Sequence, residues 1–486
     1  MMTTDTPSLD FTPRGLFIGG KWHQSNSDRM MSAINPATGE ILGHVPVAGA
    51  DDVDKAVEAA TAAAPAWGSM PMRERAELLG RLADRLAEHR RELGMMDCLD
   101  GGNTLDGMIA DVDWTVDSIR YFTGLIAEIK GETFSRQQGH LNLTWRQPYG
   151  VVAKINPFNH PFRFCAEKAA APLVAGNTVV IKGSEQAPLS SLRFAELCED
   201  ILPPGVVNVL TGDAATGQAL VRHPLIRRVG VVGSVETGKA VLKETAAQIK
   251  HVSLELGGKN PIIIFPDADP VKAAELAIKG MNMNRQGQSC SSTSRVFVHQ
   301  SIHQEVRDEL IRQVSQLPVG LPWLPNTEVG PIVSEKQYQR VCDYIDLGLK
   351  EGGTLLTGGI RPPSPELKNG FFIRPAIFDG VTMEMRIARE EIFGPVMSII
   401  TWTDQQEMLH QVNQLDFGLT AMIVTESWRN AMATAEQVEA GYVWINSSGR
   451  YLGAPYGGWK SSGLGQEECL DELLSYTRIK NINMKW

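Results

Sequence analysis

Three short stretches of this chain hold residue types that can do covalent chemistry on a carbonyl. Gly287-Gln288-Ser289-Cys290 carries one of six cysteines. Most free cysteines serve as small buried hydrophobes. Cys290 differs, because a polar loop, Asn284-Arg285-Gln286-Gly287, precedes it and Ser291-Ser292-Thr293 follows it. A thiol there is expected to be partly exposed and close to backbone N–H donors, which favours thiolate. The second stretch is Leu254-Glu255-Leu256-Gly257-Gly258-Lys259. A carboxylate at the end of an apolar strand would have its pKa raised by burial into the range of a general base; the alternative is a surface Glu255 paired with Lys259. The third is Asn156-Pro157-Phe158-Asn159-His160-Pro161. Two prolines stiffen this turn, and the Asn159 amide either donates to a developing oxyanion or merely stabilises its own turn.

A fourth set is suited to a nucleotide. Lys182 and Glu185 follow an apolar run and are placed to grip ribose hydroxyls, and Gly233-Ser234-Val235-Glu236-Thr237-Gly238 follows another and opens a helix whose N-terminus would face a pyrophosphate.

The elements that must position these residues are legible as periodicity. Asp51–Ala66 and Met72–Leu93 read as helices, and Leu16–Ile18 as a short strand ending at Gly19-Gly20. From Gly150 the texture changes. Val151–Ile155, Thr178–Lys182, Val206–Leu210 and Arg228–Val232 are continuous apolar runs separated by helices, the pattern of a parallel sheet covered on both faces. That is a doubly wound α/β nucleotide-binding architecture, although no strict G-x-G-x-x-G is present. A second α/β block begins near Pro261 and runs to about Gly441. Gly139–Gln147 and Ser475–Trp486 alternate like exposed strands, which a partner subunit would cover.

Composition narrows the class. The chain has 486 residues, 43% hydrophobic and 21% charged, so more than one soluble domain is expected. Its net charge of -10 disfavours nucleic acid or an anionic membrane as a partner. No apolar run approaches a bilayer span, Met1–Pro7 lacks the regions of a signal peptide, and six cysteines without a C-x-x-C pair give neither a disulfide scaffold nor a metal site. A reducing cytoplasm is the expected compartment.

Together these stretches resemble the aldehyde dehydrogenase superfamily over essentially the whole chain. They come in that family's order, followed by Glu390-Glu391-Ile392-Phe393-Gly394-Pro395 and Pro455-Tyr456-Gly457-Gly458-Trp459-Lys460. The resemblance implies that Cys290 attacks an aldehyde carbon, that its N–H and the Asn159 amide stabilise the oxyanion, that hydride leaves to a nicotinamide, and that Glu255 activates the water that hydrolyses the thioester. It carries proton relay over to Lys168 and Glu467. Cofactor contacts fall on Ile155, Asn156, Phe158, Lys182, Glu185, Gly217, Gly233, Ser234, Gly238, Leu256, Glu391 and Phe393, and a substrate channel on Trp114, Phe164, Glu167 and Arg450. Glu167 and Arg450 either face that channel or pair with each other or with surface neighbours.

By the same resemblance, residues 1–130 and 149–258 form an NAD-binding domain, 259–460 a catalytic domain, and 131–148 with 474–486 the strands of a homodimer or homotetramer. Glu185 beside the adenine ribose favours NAD over NADP. Departures include His160, where an apolar aromatic is common, in a turn read as lying on the cofactor side. Gln466 stands where Arg often precedes the matched Glu467, Val231-Val232 replace an aromatic-Thr pair, and the loop 212–217 is a residue short. A CoA-acylating relative would lack Glu255, a non-catalytic protein on the same fold would have lost Cys290, and a papain-like hydrolase would need a Cys–His pair.

Overall fold

The computed structural model describes residues 5–9, 12–134 and 138–486. Met1–Thr4, and residues 135–137 within the segment expected to form an oligomerisation strand, lie outside the described residues.

Two twisted sheets organise the molecule. In the first, the strand order is Lys21–His23, Leu16–Ile18, Val207–Leu210, Thr178–Lys182, Val151–Ile155, Ile226–Val232, His251–Glu255 and Gly463–Leu464. The five central strands run parallel and the edges pair antiparallel. Their side chains bury on both faces, as the apolar runs require: Val152, Val179, Ile181 and Val209 pack against one layer of helices, and Ala153, Val180, Leu210 and Val229 against the other. The winding starts at Val151–Ile155, proceeds outward through Thr178–Lys182 and Val207–Leu210, then returns to the opposite side of the first strand with Ile226–Val232. Such a reversal opens a crevice at the strands' carboxyl ends.

The second sheet repeats the device in the order Thr354–Thr357, Ala376–Asp379, Val396–Trp402, Arg295–His299, Pro261–Ile264, Thr420–Val424, Tyr442–Ile445. Here the reversal lies beside Pro261–Ile264. Glu255 is the last residue of its strand in the first sheet, and only Leu256–Asn260 separate it from the strand of the second that comes first in the chain.

The helix expected over Met72–Leu93 is two, Met72–Glu88 and Arg90–Gly101. His89 leaves helical geometry (ψ 11°), and its Nδ1 pairs with Glu92 Oε2 at 2.7 Å. Glu92 also holds Arg193 of the Leu189–Cys198 helix, so the chain turns there to reach a neighbour. The two alternating strands do not wait singly for a partner. His140–Pro148 and Thr477–Lys485 pair with each other along their whole length, from Thr477 opposite Pro148 to Lys485 opposite His140. Glu132 and Phe134 hydrogen-bond along the far edge of His140–Pro148, while Ile479 and Trp486 stay exposed.

Tyr476 fastens this ribbon to the first sheet. Its hydroxyl accepts from the buried Lys154 ammonium at 2.5 Å, and the Arg228 guanidinium lies over its ring. Tyr476→Phe strands that ammonium, at a cost of about 1–3 kcal/mol. The thermal midpoint should fall measurably, whereas Tyr451→Phe, on an exposed ring, should leave it unmoved; equal midpoints for the two variants would refute the anchor.

Candidate active site

Cys290 ends a tight loop between the helix Pro270–Gly280 and the strand Arg295–His299. The loop is over-determined by its own polar groups. Ser292 Oγ donates to Met281 O at 2.9 Å, and the Asn260 amide donates to Cys290 O at 2.7 Å and to Ser292 O at 3.0 Å. Gly287 has φ +67°, and a Cβ there would lie 2.5 Å from Gly394 O, so the position excludes any side chain. Gly258 meets the same limit: its Cβ would lie 2.8 Å from Cys290 O. The Glu255-Leu-Gly-Gly segment and the cysteine loop are thus pressed together backbone to backbone.

Glu255 and Cys290 line one cavity of about 120 Å³. Glu255 is 4% exposed, and among the described residues neither carboxyl oxygen has a hydrogen-bond partner. Burial, then the Glu467 carboxylate, push its pKa up to about 8. No pairing with Lys259 occurs; that ammonium is itself buried, and burial with Arg295 close by lowers its pKa to about 7. Cys290 is half-buried, its Sγ 4.0 Å from Tyr456 Oη. The expected thiolate is not favoured here, because burial and the neighbouring Glu255 carboxyl push the thiol well above its ordinary range.

Lys168 and Glu467 stand on the same cavity, paired at 2.8 Å. Burial alone would suppress the Lys168 charge, but Glu167 and Glu467 hold its pKa above the usual value, and Lys168 holds Glu467 below its own against burial. Asn159 sits at the carboxyl edge of Val151–Ile155, just before the helix Pro161–Val174. It is 3% exposed and outside the cavity's lining, which its neighbour His160 joins.

The expected channel residues divide. Phe164 and Arg450 line the cavity. Trp114 and Glu167 lie behind it: Trp114 Nε1 donates to Glu167 Oε1 at 3.0 Å, and Arg163 Nε to Glu167 Oε2 at 2.6 Å. Arg450 pairs with Glu468, not with Glu167. His160 is on the Cys290 side rather than the cofactor side, its Nδ1 2.6 Å from Asp111 Oδ2. Asp111, Arg163, Arg285, Tyr456 and Glu468 are site residues that sequence reasoning missed. A partial signal existed in Asp111, Trp114 and Ser118, which share one face of the helix Leu105–Gly124.

On the other side of Asn159 a groove of about 730 Å³ opens at the first sheet's reversal. Ile155, Asn156, Phe158, Lys182, Glu185, Gly217, Gly233 and Ser234 line it. Ser234 Oγ accepts from Thr237 N at 3.2 Å and caps the helix Val235–Ala246, whose N-terminus suits a pyrophosphate. Gly238 and Leu256 do not line the groove; they pack on each other, and a Cβ at Gly238 would lie 2.5 Å from Leu256 Cδ1. Glu391 Oε1 accepts from Gly258 N at 3.0 Å, and Phe393 meets Phe158 of the groove edge to face at 5.6 Å; both line a separate small pocket with Gly258 and Ser289.

Residues 22–482 match the model of the aldehyde dehydrogenase family. The chain belongs to the aldehyde dehydrogenase family. Its relatives include aldehyde dehydrogenase tropH of Talaromyces stipitatus, 44% identical over 96% of this chain and 93% of that protein. Solved structures include the NAD+ complex of an aldehyde dehydrogenase from Bacillus cereus, 38% identical with a TM-score of 0.94 over 98% of this chain and 97% of that one. A betaine aldehyde dehydrogenase from Staphylococcus aureus with NAD+ is 33% identical, with a TM-score of 0.95 over 98% and 96%. The fold is that of these aldehyde dehydrogenases, and the protein is an aldehyde-oxidising oxidoreductase.

For an aldehyde dehydrogenase, the coupling of Cys290 to Glu255 has a measurable consequence. Ionising Glu255 opposes ionising the thiol, so Glu255→Gln should lower the thiol's pKa and speed alkylation of Cys290 by iodoacetamide at about pH 8 to 9. Peptide mass spectrometry reads the site. Unchanged alkylation would show that the two groups do not interact, and slower alkylation would show that Glu255 promotes rather than opposes ionisation of the thiol.

Proposed function

We propose that the protein oxidises an aldehyde to the carboxylic acid with NAD+ as hydride acceptor, and that Cys290, Glu255 and Asn159 carry the reaction. The observation that supports this most is the shared cavity. A thiol on a rigid loop and a carboxyl with two unmet oxygens face the same small space, and that space has room for a reacting carbonyl or a water.

In this reading the Cys290 thiol loses its proton to water and its sulfur adds to the aldehyde carbon. The oxyanion of the resulting thiohemiacetal is met by the Cys290 N–H and the Asn159 amide. NAD+ would be held by Lys182, Glu185 and Ser234 in the groove, with Glu391 and Phe393 beside it, and would supply the acceptor for the hydride whose loss from the thiohemiacetal leaves a thioester on Cys290. Glu255, poised at about 8, then draws a proton from water as it attacks that thioester. Lys168 and Glu467 pass the proton onward from the cavity wall.

The groove fits NAD+ better than NADP. Of the carboxylates that line it, Asp213, Glu236 and Glu244 pair with Arg29, Lys239 and Arg222, which leaves Glu185 as the one without an ion-pair partner among the described residues. An added phosphate would meet like charge. The same reading extends to a homodimer or homotetramer in the cytoplasm; the assembly is supported by the exposed Ile479 on the Thr477–Lys485 strand and Trp486 just beyond it.

Cys290→Ala should cut NADH formation by about 10³-fold or more while NAD+ still quenches tryptophan fluorescence with near wild-type affinity. Substantial residual turnover would remove Cys290 from the role. NAD+ should exceed NADP+ in kcat/KM by roughly tenfold, the effect of about 1.4 kcal/mol. Glu185→Gln should narrow the gap; equal kcat/KM for both nucleotides in the wild type would refute the preference.

A further inference from the structure

Three arginines stand on the cavity beside Cys290, and one of them is surrounded by three carboxylates. Arg163 gives Nε to Glu167 and Nη2 to Glu468, with Nη1 turned to Asp111 at 3.8 Å. Arg285 and Arg450 are tethered along one side only. Arg285 Nη2 donates to Asp111 Oδ1 at 2.7 Å, while its Nε points at His160 Nδ1, 3.3 Å away. That nitrogen is no acceptor: burial keeps the imidazole neutral, and the 2.6 Å contact with the Asp111 carboxylate requires its single N–H to sit on Nδ1. Arg450 Nη2 donates to Glu468 Oε1 at 2.6 Å; its buried Nε has no partner among the described residues, and its Nη1 makes no hydrogen bond to them either. The Arg450 guanidinium lies 3.5 Å above the centre of the Tyr456 ring, and that ring's hydroxyl is 4.0 Å from Cys290 Sγ.

Unmet N–H groups on a desolvated guanidinium cost free energy until an acceptor arrives, and charged donors gain most from a charged acceptor. Neither addition to the aldehyde nor hydrolysis of the thioester uses these donors. A neutral alkyl or aryl end would leave them unmet. Lys279, exposed at the rim and without a carboxylate partner among the described residues, adds a further positive charge.

We infer that the aldehyde taken by this cavity carries a carboxylate at the end remote from its carbonyl, received by Arg285 and Arg450. This rests on the reading of Cys290 as the group that attacks the aldehyde. His160 is then a positioning residue, which with Asp111 fixes the Arg285 fork without touching the substrate.

The test uses the full-length enzyme with NAD+ and two matched pairs, succinic semialdehyde against butanal and 4-formylbenzoate against benzaldehyde. In at least one pair the carboxylate should have the higher kcat/KM, by tenfold or more and mainly through KM. Arg450→Met and Arg285→Met should each lower that ratio by about tenfold, and Arg285→Lys should restore part of it. If a variant fails to fold, unreactive acids report on the wild type alone: succinate should inhibit at least tenfold more tightly than butyrate, or terephthalate than benzoate. Equal or better turnover of both neutral aldehydes, with no gain from the second carboxylate in the acids, overturns the inference and leaves aldehyde oxidation standing. Failure to oxidise any of the four overturns the parent reading as well.

Discussion

A carboxyl group buried with both oxygens unpartnered is costly in any fold, and here it stands at the junction of two sheets. Glu255 closes the last parallel strand of the first sheet, and six residues later, at Pro261, the chain begins the strand from which the second sheet is wound. The position cannot drift. Leu256 N donates to Ser462 O, Ser462 Oγ donates to Gly257 O, and Glu391 accepts from Gly258 N, so the backbone after Glu255 is clamped from both sheets. With a pKa near 8, Glu255 holds a proton at neutral pH that the unfolded chain would release. As pH rises from the ordinary glutamate range to about 8, the folded state therefore loses stability through this group. Apolar burial on the faces of the two sheets offsets that cost.

The charges around the cavity are arranged as a chain rather than as isolated pairs. Lys168 joins Glu467 to Glu167, Arg163 joins Glu167 to Glu468, and Glu468 reaches Arg450. Removing one member would leave its neighbours buried and uncompensated, which is far more destabilising than losing an exposed pair. The helix Pro161–Val174 supplies Arg163, Glu167 and Lys168 from one side and is buried along its whole length. Two aspartates fix its surroundings from behind: Asp97 accepts from Phe162 N and Asp100 from Leu189 N, each satisfying a helix's first donors.

Strands that are buried on both faces were the easiest elements to read. Val151–Ile155 and Thr178–Lys182 coincide with their apolar runs, because continuous burial leaves continuous Val and Ile. Cys290, Glu255 and the Lys182 turn were also legible, since each occupies an odd chemical context at an element's end. What stayed hidden depends on long-range pairing. Nothing local in Asp111 announces that it will bind His160 and Arg285, 49 and 174 residues away. The ionisation of Cys290 departs from the sequence expectation for a related reason: loop composition suggests N–H donors, whereas burial and a carboxyl from another strand hold the thiol protonated. The pairing of His140–Pro148 with Thr477–Lys485 was likewise invisible, because an alternating strand shows that it needs a partner without showing which one.

The division of labour between Cys290 and Glu255 is tested most directly by rapid mixing of Glu255→Gln enzyme with NAD+ and an aldehyde that the wild type oxidises. A stoichiometric burst of NADH, followed by slow turnover and an intact protein mass increased by the acyl group, is the expected result, because the amide keeps the cavity's shape but cannot take a proton from water. Wild-type steady-state turnover without an accumulated adduct would contradict the assignment of Glu255 as the base for hydrolysis.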